Sequence, residues 1–378
     1  MVSGCTNEGK HIEGAAGVGG IVGVWYSDGE CMENINFAET ITASGSFAAG
    51  IVGNSQWTEV DSQGGPKDAH TDGLKLTVHD NVSYTAKSDI QAGGNTTHLF
   101  VYINDSDRTI EEKNTNPSMT TVGSAEDFQS AFADIKDGDI IVLSNGDFDG
   151  KSVTWPKGVA VTIKGNGEES KLTNLGYVNT DGCDLTLENI NLFVEKGGSN
   201  TSFGFQNANS VTLKNVKVMG EFHTFSAKSA VFEGCYFVHD GVNTADRQGL
   251  WCDGYGKTVV KDCTFEVIPP NQNGNETKAI LIYSTSNTVM GDVEVTNCTF
   301  KKGLKSAKAC VEIHSEKFTS AGTITITGCT YDAETYEGGL WREIYNVEDE
   351  THHKGDETKF YTVYVDGELK QAAEEGKN

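Results

Sequence analysis

One short pattern recurs through the second half of the chain and restricts its fold more than any other feature. Each copy has alternating apolar residues, then a turn residue, then an apolar residue or Cys, and successive turn residues lie 19 to 35 positions apart. The copies are VTIKG (to Gly165), LTLENINL (Asn189), VTLKNVKV (Asn215), AVFEGCYF (Gly234), TVVKDCTF (Asp262), VEVTNCTF (Asn297) and ITITGCTY (Gly328). Alternation with period two predicts strands with one buried face. Asn, Gly and Asp tolerate the left-handed conformation of a sharp bend. The pattern therefore predicts a solenoid with one coil per repeat.

Four cysteines occupy the same place in successive repeats. Cys235, Cys263, Cys298 and Cys329 each follow the turn residue directly. Equivalent positions of successive coils stack in a solenoid, so we expect an interior ladder of small apolar side chains. The interpretation favours free thiols. A spacing of about 4.8 Å between coils would also allow an occasional disulfide between neighbouring cysteines.

A segment with helical periodicity precedes these repeats. In SAEDFQSAFADIKDGD the apolar residues Phe128, Ala131, Phe132 and Ile135 share one face. Ser124 is a good N-cap residue. We predict a helix over residues 124–136 that caps the first coil and hides its edge.

The order of these segments resembles the pectate-lyase-like β-helix superfamily over about residues 121–345. The resemblance is carried by the helix, by GDIIVLSNGDFDG and WPKGVAVTIKGNG, and by the later coils with their N/G-C-x-F turns. It implies an all-β chain folded as a right-handed parallel β-helix of three sheets with an N-terminal capping helix. It implies no single activity, because this architecture carries lyases, hydrolases, esterases, phage tailspikes and adhesins.

Another repeat lies in residues 1–60, as an additional N-terminal β-repeat region. CTNEGKHIEGAAGVGGIVG, from Cys5 to Gly23, is echoed by CMENINFAETITASGSFAAGIVG, from Cys31 to Gly53. Both copies resemble the GLUG-type repeats of bacterial surface proteins. Residues 61–120 are assigned only as β-rich, and residues 346–378 as a loop, a strand and a frayed tail.

The charge of the chain limits its partners. With 29 Lys and Arg against 54 Asp and Glu, the formal net charge is −25. Such a surface repels phosphate backbones and anionic membranes, so nucleic acid and membrane insertion are not expected. The start MVSGCTNEGKHIEG lacks the features of a signal peptide. We interpret the chain as a fragment of an extracellular or cell-surface protein whose export signal lies elsewhere.

Catalytic and metal motifs of β-helix enzymes are incomplete. There is no R-x-P-x-x-R arrangement as in pectate lyases, and the NTDG at Asn179 is not followed by the later motifs of polygalacturonase-like hydrolases. The NGDFDG at Asn145 fails as an EF-hand loop because its twelfth position is Pro156. We predict no metal site and no cofactor, and calcium stays open as a ligand of the acidic surface.

The strands that precede each repeat predict one candidate surface. Alignment of FGFQN, HTFSA, LWCDG, ILIYS and VEIHS places His223 inward with Leu250, Ile280 and Val311, and places other residues outward. The outward candidates are Gln206, Trp251, Asp253, Tyr283, Glu312 and His314, with Asp246 and Arg247 on an overhanging loop. Aromatic rings beside carboxylates and His suit sugar rings. Asp253 with Glu312 or His314 is the candidate catalytic set.

Three functional hypotheses follow. The first is a structural or adhesive surface module that contacts polysaccharide or host glycan. The second is a polysaccharide lyase or glycoside hydrolase acting on acidic polysaccharide at the same surface. The third is a phage tailspike-like receptor-binding segment. We favour the non-enzymatic module, because no Arg or Lys is expected on the strands of this surface and Asp253 and Glu312 are expected about two rungs apart.

Overall fold

The computed structural model describes most of the chain in segments. These are residues 1–25, 29–55, 58–60, 66–69, 76–94, 97–103, 109–194, 202–225, 227–238, 248–253, 256–266, 277–284, 291–301, 307–315, 322–345 and 356–373. They divide into a first unit, Met1–Met119, and a second unit, Thr120–Asn378. Both units consist mainly of parallel strands arranged as a β-helix-like solenoid.

The described residues of the first unit stack short strands into five small parallel sheets. Their strands are Val2–Ser3, Gly29–Met32, Leu76–His79 and Thr109–Glu112; Thr6–Asn7, Ile35–Asn36 and Val82–Ser83; His11–Gly14, Thr40–Ala43 and Ile90–Ala92; Val18–Gly19, Ala48–Ala49 and Thr97–His98; and Val22–Trp25, Val52–Ser55 and Val101–Ile103. A separate antiparallel pair joins Thr58–Val60 to Pro66–Ala69, and a short 3₁₀ helix spans Lys87–Asp89. The strands within residues 76–94 and 97–103 thus form a third coil on the two predicted repeats.

The register of the first unit corrects one detail of the predicted repeat. The GGIVG and AGIVG strands do pair, with Val22 opposite Val52. Cys31, however, pairs with Val2 rather than with Cys5. The intervening polar segments differ in length, so the two cysteines fall at different places in their coils.

Buried amides connect the coils of the first unit. The Oδ1 of Asn34 accepts from the Cys5 amide at 2.9 Å. The Oδ1 of Asn81 accepts from both the backbone and the side-chain nitrogen of Asn34. The Oδ1 of Asn114 accepts from the same two nitrogens of Asn81. Asn34 and Asn81 are fully buried. Each amide therefore satisfies the polar groups of the coil before it, as buried polar groups require. We call this stack the asparagine ladder.

In the part of the second unit that the structure describes, the strands form three long sheets. Within the described residues the first sheet holds Met119–Val122, Asp139–Leu143, Ala160–Lys164, Asp184–Glu188, Ser210–Lys214, Ser229–Glu233, Lys257–Lys261, Val293–Thr296, Thr323–Thr327, Thr362–Val365 and Glu368–Gln371. The second sheet holds Gly146–Asp149, Ser170–Leu175, Asn191–Val194, Lys217–Met219, Tyr236–Val238, Thr264–Glu266, Thr299–Phe300 and Thr330–Tyr331. The third sheet holds Tyr177–Asn179, Ser202–Gln206, Glu221–Phe225, Gln248–Asp253, Thr277–Ser284, Ala307–Ser315 and Trp341–Tyr345. A 3₁₀ helix spans Gly167–Glu169.

The predicted turn residues take the conformation that their types favour. From Asn189 to Gly328, six of them have φ between +51° and +64°. Gly165 is needed for a different reason, because a Cβ there would lie 2.1 Å from the Cγ2 of Ile190. The predicted left-handed bend is therefore confirmed at these six turn residues.

The cysteine ladder is confirmed as free thiols. Cys235, Cys263 and Cys298 are buried, and Cys329 at the end of the stack is half-buried. The Sγ of Cys329 accepts from the Cys298 amide at 3.4 Å. The side chains of the ladder are thus buried except at its last position, Cys329.

The helix is shorter than predicted. It spans Ala125–Ala133, and the Ser124 side chain accepts from the Asp127 amide at 3.1 Å. Ile135 lies beyond the helix, though it still packs against the core. Phe128 and Phe132 are buried, and Phe132 meets Trp155 edge to face with ring centroids 5.3 Å apart.

Candidate functional site

The candidate surface lies on the outer face of the third sheet, where register aligns two rows of residues. One row runs through Gly204, His223, Trp251, Leu281, Glu312 and Arg342, and the other through Gln206, Phe225, Asp253, Tyr283, His314 and Ile344. The structure thus brings Trp251, Asp253, Tyr283, Glu312 and His314 together on three adjacent coils. Gln206 lies two coils before Asp253, and Asp246 and Arg247 lie outside the described residues.

The predicted burial of His223 is confirmed, but the alignment put its side chain on the wrong face of the strand. His223 pairs with Trp251 in the outer row, and the neighbouring Phe222, opposite Leu250, takes the inward position. In the segment FHTF, one register points Phe222 inward and the other points Phe225 inward. Each register buries an aromatic residue, so the apolar pattern alone could not decide between them. A shift of one residue moves a whole strand to the opposite face.

Five rings form a continuous line on this face, which we call the outer aromatic row. Ring centroids are 5.8 Å apart from Tyr177 to His223, 4.1 Å from His223 to Trp251, 5.7 Å from Trp251 to Tyr283 and 6.1 Å from Tyr283 to His314. The His223 and Trp251 rings are stacked, and the Tyr177 hydroxyl lies 3.4 Å from His223 Nδ1.

Gly204 explains how Tyr177 reaches His223 across an intervening coil. In register Gly204 lies between them, opposite Tyr177 on one side and His223 on the other. A Cβ at position 204 would lie 1.8 Å from the His223 carbonyl oxygen. Only glycine therefore fits this rung, and its missing side chain leaves room for the two rings to meet.

Glu312 lies at the centre of a buried ionic group, the Glu312 cluster, with Lys278, His314 and Arg342. Its Oε1 lies 2.8 Å from Lys278 Nζ and 2.6 Å from His314 Nε2. Its Oε2 accepts from Arg342 Nε at 2.5 Å and also contacts the Nη2 of Arg342. The Glu312 side chain is only 1 % exposed. The carboxylate is therefore enclosed by basic groups, although its strand position faces outward.

Burial and neighbouring charges set the protonation of Glu312 and His314 in the cluster, and burial sets that of His223 on the same face. Burial raises the pKa of Glu312, but the His314 hydrogen bond and the Lys278 charge outweigh it and lower the pKa to about 2. Burial lowers the pKa of His314, and Lys278 and Arg342 lower it further against the opposing effect of Glu312. Burial alone lowers the pKa of His223 to about 3. At neutral pH we therefore expect one carboxylate and two neutral imidazoles.

Lys278 and Arg342 belong to the candidate site through their ion pairs with Glu312, and the sequence reasoning missed both of them. The expectation that these strands carry no Arg or Lys is wrong, because both residues lie on strands of the third sheet. Arg342 was detectable, since WREIY continues the alignment of VEIHS by one coil. Lys278 stands two residues before the aligned ILIYS segment, and nothing in the pattern connects it with Glu312.

The geometry limits the candidate catalytic set. Glu312, held ionised at a pKa of about 2, is a poor general acid near neutrality. Asp253 and His314 share a row but lie two coils apart, with Tyr283 between them. That is about 10 Å by rung spacing, at the upper limit for a hydrolytic pair. Among the described residues, no group of three or more His, Cys, Asp or Glu side chains could hold a metal ion.

Comparison with known proteins identifies no relative of this chain. No family model matches the chain, and no curated protein matches it at a significant level. In the part of the chain that the structure describes, no helix is long and apolar enough to cross a membrane.

Proposed function

We propose that the chain is an extracellular or cell-surface β-helix module with a structural and adhesive role, which contacts glycans through the outer aromatic row. The observation that carries the proposal is the continuity of the row. Neighbouring ring centroids lie 4.1 to 6.1 Å apart from Tyr177 to His314. Aromatic rings pack against the apolar faces of sugars, while nearby polar groups fix their orientation.

Polar side chains beside the row supply those orienting contacts. Asp253 pairs with Tyr283 on the next strand. Gln206 lies two coils before Asp253 at the same register position. Tyr177, at the start of the row, is 40 % exposed. A chain of sugars lying along the coil axis would meet the rings of Tyr177, Trp251 and Tyr283, with hydrogen-bonding groups beside them, while the buried His223 supports the Trp251 ring from within.

The sequence resemblances support the location and the finer architecture. GLUG-like repeats in the first unit are typical of bacterial surface proteins, and the second unit resembles the pectate-lyase-like superfamily. We infer a right-handed coil, because parallel strands joined by crossovers are right-handed in nearly all proteins. We also infer that Ala125–Ala133 caps the solenoid, since Phe128 and Phe132 pack against Phe148 and Trp155.

A glycan array with matched variants tests the proposal. We expect the wild-type chain to bind a subset of glycans and Trp251→Ala or Tyr283→Ala to lower that affinity at least tenfold. Tyr331→Ala is the control, because Tyr331 is 42 % exposed but lies on the second sheet. Equal losses in all three variants, or no wild-type binding to any glycan, would contradict the proposal.

A lyase is the second candidate, and the Glu312 cluster favours it. Elimination from an acidic sugar needs a base and a cation that neutralises the sugar carboxylate. Lys278 and Arg342 bring cations to a surface where none was expected. Both cations are bound to Glu312, so we place this function second. Release of unsaturated products from an acidic polysaccharide, lost in Arg342→Gln, would reverse the order.

A further inference from the structure

The last ring of the outer aromatic row, His314, is held in place by a carboxylate. Its Nε2 lies 2.6 Å from the Oε1 of Glu312, and the His314 side chain is 13 % exposed. The same Oε1 lies 2.8 Å from Lys278 Nζ, and Arg342 binds Oε2. Three groups thus converge on one carboxylate, and of the three only the imidazole belongs to the row.

The carboxylate decides which nitrogen of His314 carries the proton. An ionised carboxylate only accepts hydrogen bonds, so the nitrogen that lies 2.6 Å from Glu312 Oε1 must be a protonated one. Burial lowers the pKa of His314, and the charges of Lys278 and Arg342 lower it further against the opposing effect of Glu312. The ring is therefore neutral at pH 7, with its hydrogen on Nε2 and a lone pair on Nδ1.

The Nδ1 lone pair of His314 is available to a ligand. Among the residues that the structure describes, the contact with Glu312 is the single hydrogen bond of this side chain, and Nδ1 is not buried. The neighbouring ring of the row, Tyr283, has its centroid 6.1 Å from that of His314. A sugar packed on Tyr283 would therefore have a hydrogen-bond acceptor beside it.

This acceptor suits a neutral sugar and disfavours an acidic one. A sugar hydroxyl can donate to an unprotonated imidazole nitrogen, whereas a carboxylate has no hydrogen to donate and would face the lone pair. Binding a carboxylate there would require a second proton on His314, which the charges of Lys278 and Arg342 oppose. Asp253 lies two coils away in the same row, and the chain has a formal net charge of −25, so an acidic polymer is also repelled at longer range.

We propose that His314 is the acceptor that selects neutral, hydroxyl-rich glycans at the outer aromatic row, and that Glu312 is the positioning residue that keeps its Nδ1 unprotonated. The inference rests on the proposed glycan contact and adds the class of sugar and the residue that recognises it. A sugar ring packs on Tyr283 while one of its hydroxyls donates to Nδ1. Glu312 acts through His314 and not on the ligand, because its side chain is only 1 % exposed.

Two substitutions of His314 separate the roles of its nitrogens. Gln places an amide near the Nε2 position and no polar atom at the Nδ1 position, whereas Asn places its amide at the Nδ1 position. The probes are an array of neutral hexose oligomers and the uronic acid oligomers that match them, and we expect wild type to bind neutral members. His314→Gln should lose about tenfold in affinity, the equivalent of one hydrogen bond, and His314→Asn less than about threefold. Tyr331→Ala, at an exposed position on the second sheet, should bind as wild type does.

Nitrogen NMR of histidine-labelled protein locates the protons of the ring without any ligand. At pH 7 we expect His314 to show a protonated Nε2 and an unprotonated Nδ1, with its signals assigned by their absence in His314→Asn. Glu312→Gln should mix the two tautomers, since a carboxamide both donates and accepts. The wild-type spectrum alone identifies the tautomer, so this measurement is decisive even if Glu312→Gln does not fold.

The outcomes separate this inference from the proposed function. Binding that is lost in Trp251→Ala but unchanged in His314→Gln would overturn the role of His314 and leave the glycan contact in place. Equal losses in His314→Gln and His314→Asn, binding confined to uronic acid oligomers, or a proton on Nδ1 in the wild-type spectrum would each do the same. No wild-type binding to any glycan would contradict the proposed function itself, and with it the inference that rests on it.

Discussion

His223 and Trp251 stack face to face across adjacent coils, with ring centroids 4.1 Å apart and ring planes 13° apart. His223 is fully buried by its surroundings although it stands in an outward row. The outer aromatic row is therefore packed structure as well as surface. Variants designed to test binding at this face must be judged for stability at the same time.

Trp251→Ala is expected to destabilise the chain by about 2 kcal/mol, since it removes the ring that packs on His223. Chemical denaturation of the purified variant measures this loss. Tyr331→Ala, at an exposed position on the second sheet, should change the unfolding free energy by less than about 0.5 kcal/mol. Equal stability of wild type and Trp251→Ala would show that the stack contributes nothing.

Glu312→Gln is expected to cost about 3–5 kcal/mol near neutral pH, because it leaves the cationic Lys278, 8 % exposed, without its carboxylate. The effect should depend on pH in one direction. The pKa of Glu312 is lowered from 4.5 to about 2 on folding, so its contribution is complete above pH 4.5 and disappears as the pH falls toward 2. Denaturation curves of wild type and variant should converge over that range. A difference that is constant with pH would mean that Glu312 acts through packing rather than charge.

The cysteine ladder should be inert in the folded chain. Hydrogen bonding with Cys263, followed by burial, raises the pKa of Cys298 to about 12, and burial raises the pKa of Cys252 to about 12. Thiolates are the reactive form, so these residues should resist a thiol reagent until the chain is denatured. We expect exposed Cys5 to react first in the native protein. Rapid native modification of Cys263 or Cys298, or their absence as thiols after denaturation without reductant, would disprove the arrangement.

Phe132→Asp is expected to destabilise the second unit by about 3–5 kcal/mol, since it places an unpaired charge against Trp155 in an apolar contact. Thermal unfolding of the variant measures the effect. Gln129→Asp adds the same charge to an exposed position of the same helix and is the control. A melting temperature that falls equally in both variants would point to helix charge rather than to loss of the packed ring.

The coils of the second unit could be read from the sequence because their signals are local. Period-two alternation, a turn residue such as Asn297 and a following Cys298 each act within a few positions. The same holds for the N-cap at Ser124. Helix length was less predictable, because Ala125–Ala133 ends where Asp134 leaves helical geometry rather than where the apolar spacing stops.

The candidate site was harder to predict because its contacts cross coils. Lys278 and Glu312 are 34 residues apart and meet only through the register of neighbouring strands. His223 was misplaced because a Phe precedes it and alternation fits either register. The third coil of the first unit was missed because Leu76–His79 and Val101–Ile103 carry no copy of the GIVG motif.

The asparagine ladder affects how the first unit can gain or lose coils in evolution. An amide such as Asn81 must find the backbone and amide groups of the previous coil at a fixed place, or it is buried with its hydrogen bonds broken. A duplicated coil is therefore tolerated only if it brings its own Asn in phase. The thiols of the second unit carry no such requirement, since a small apolar side chain can replace any of them. Changes in coil number should accordingly be more restricted in the first unit than in the second.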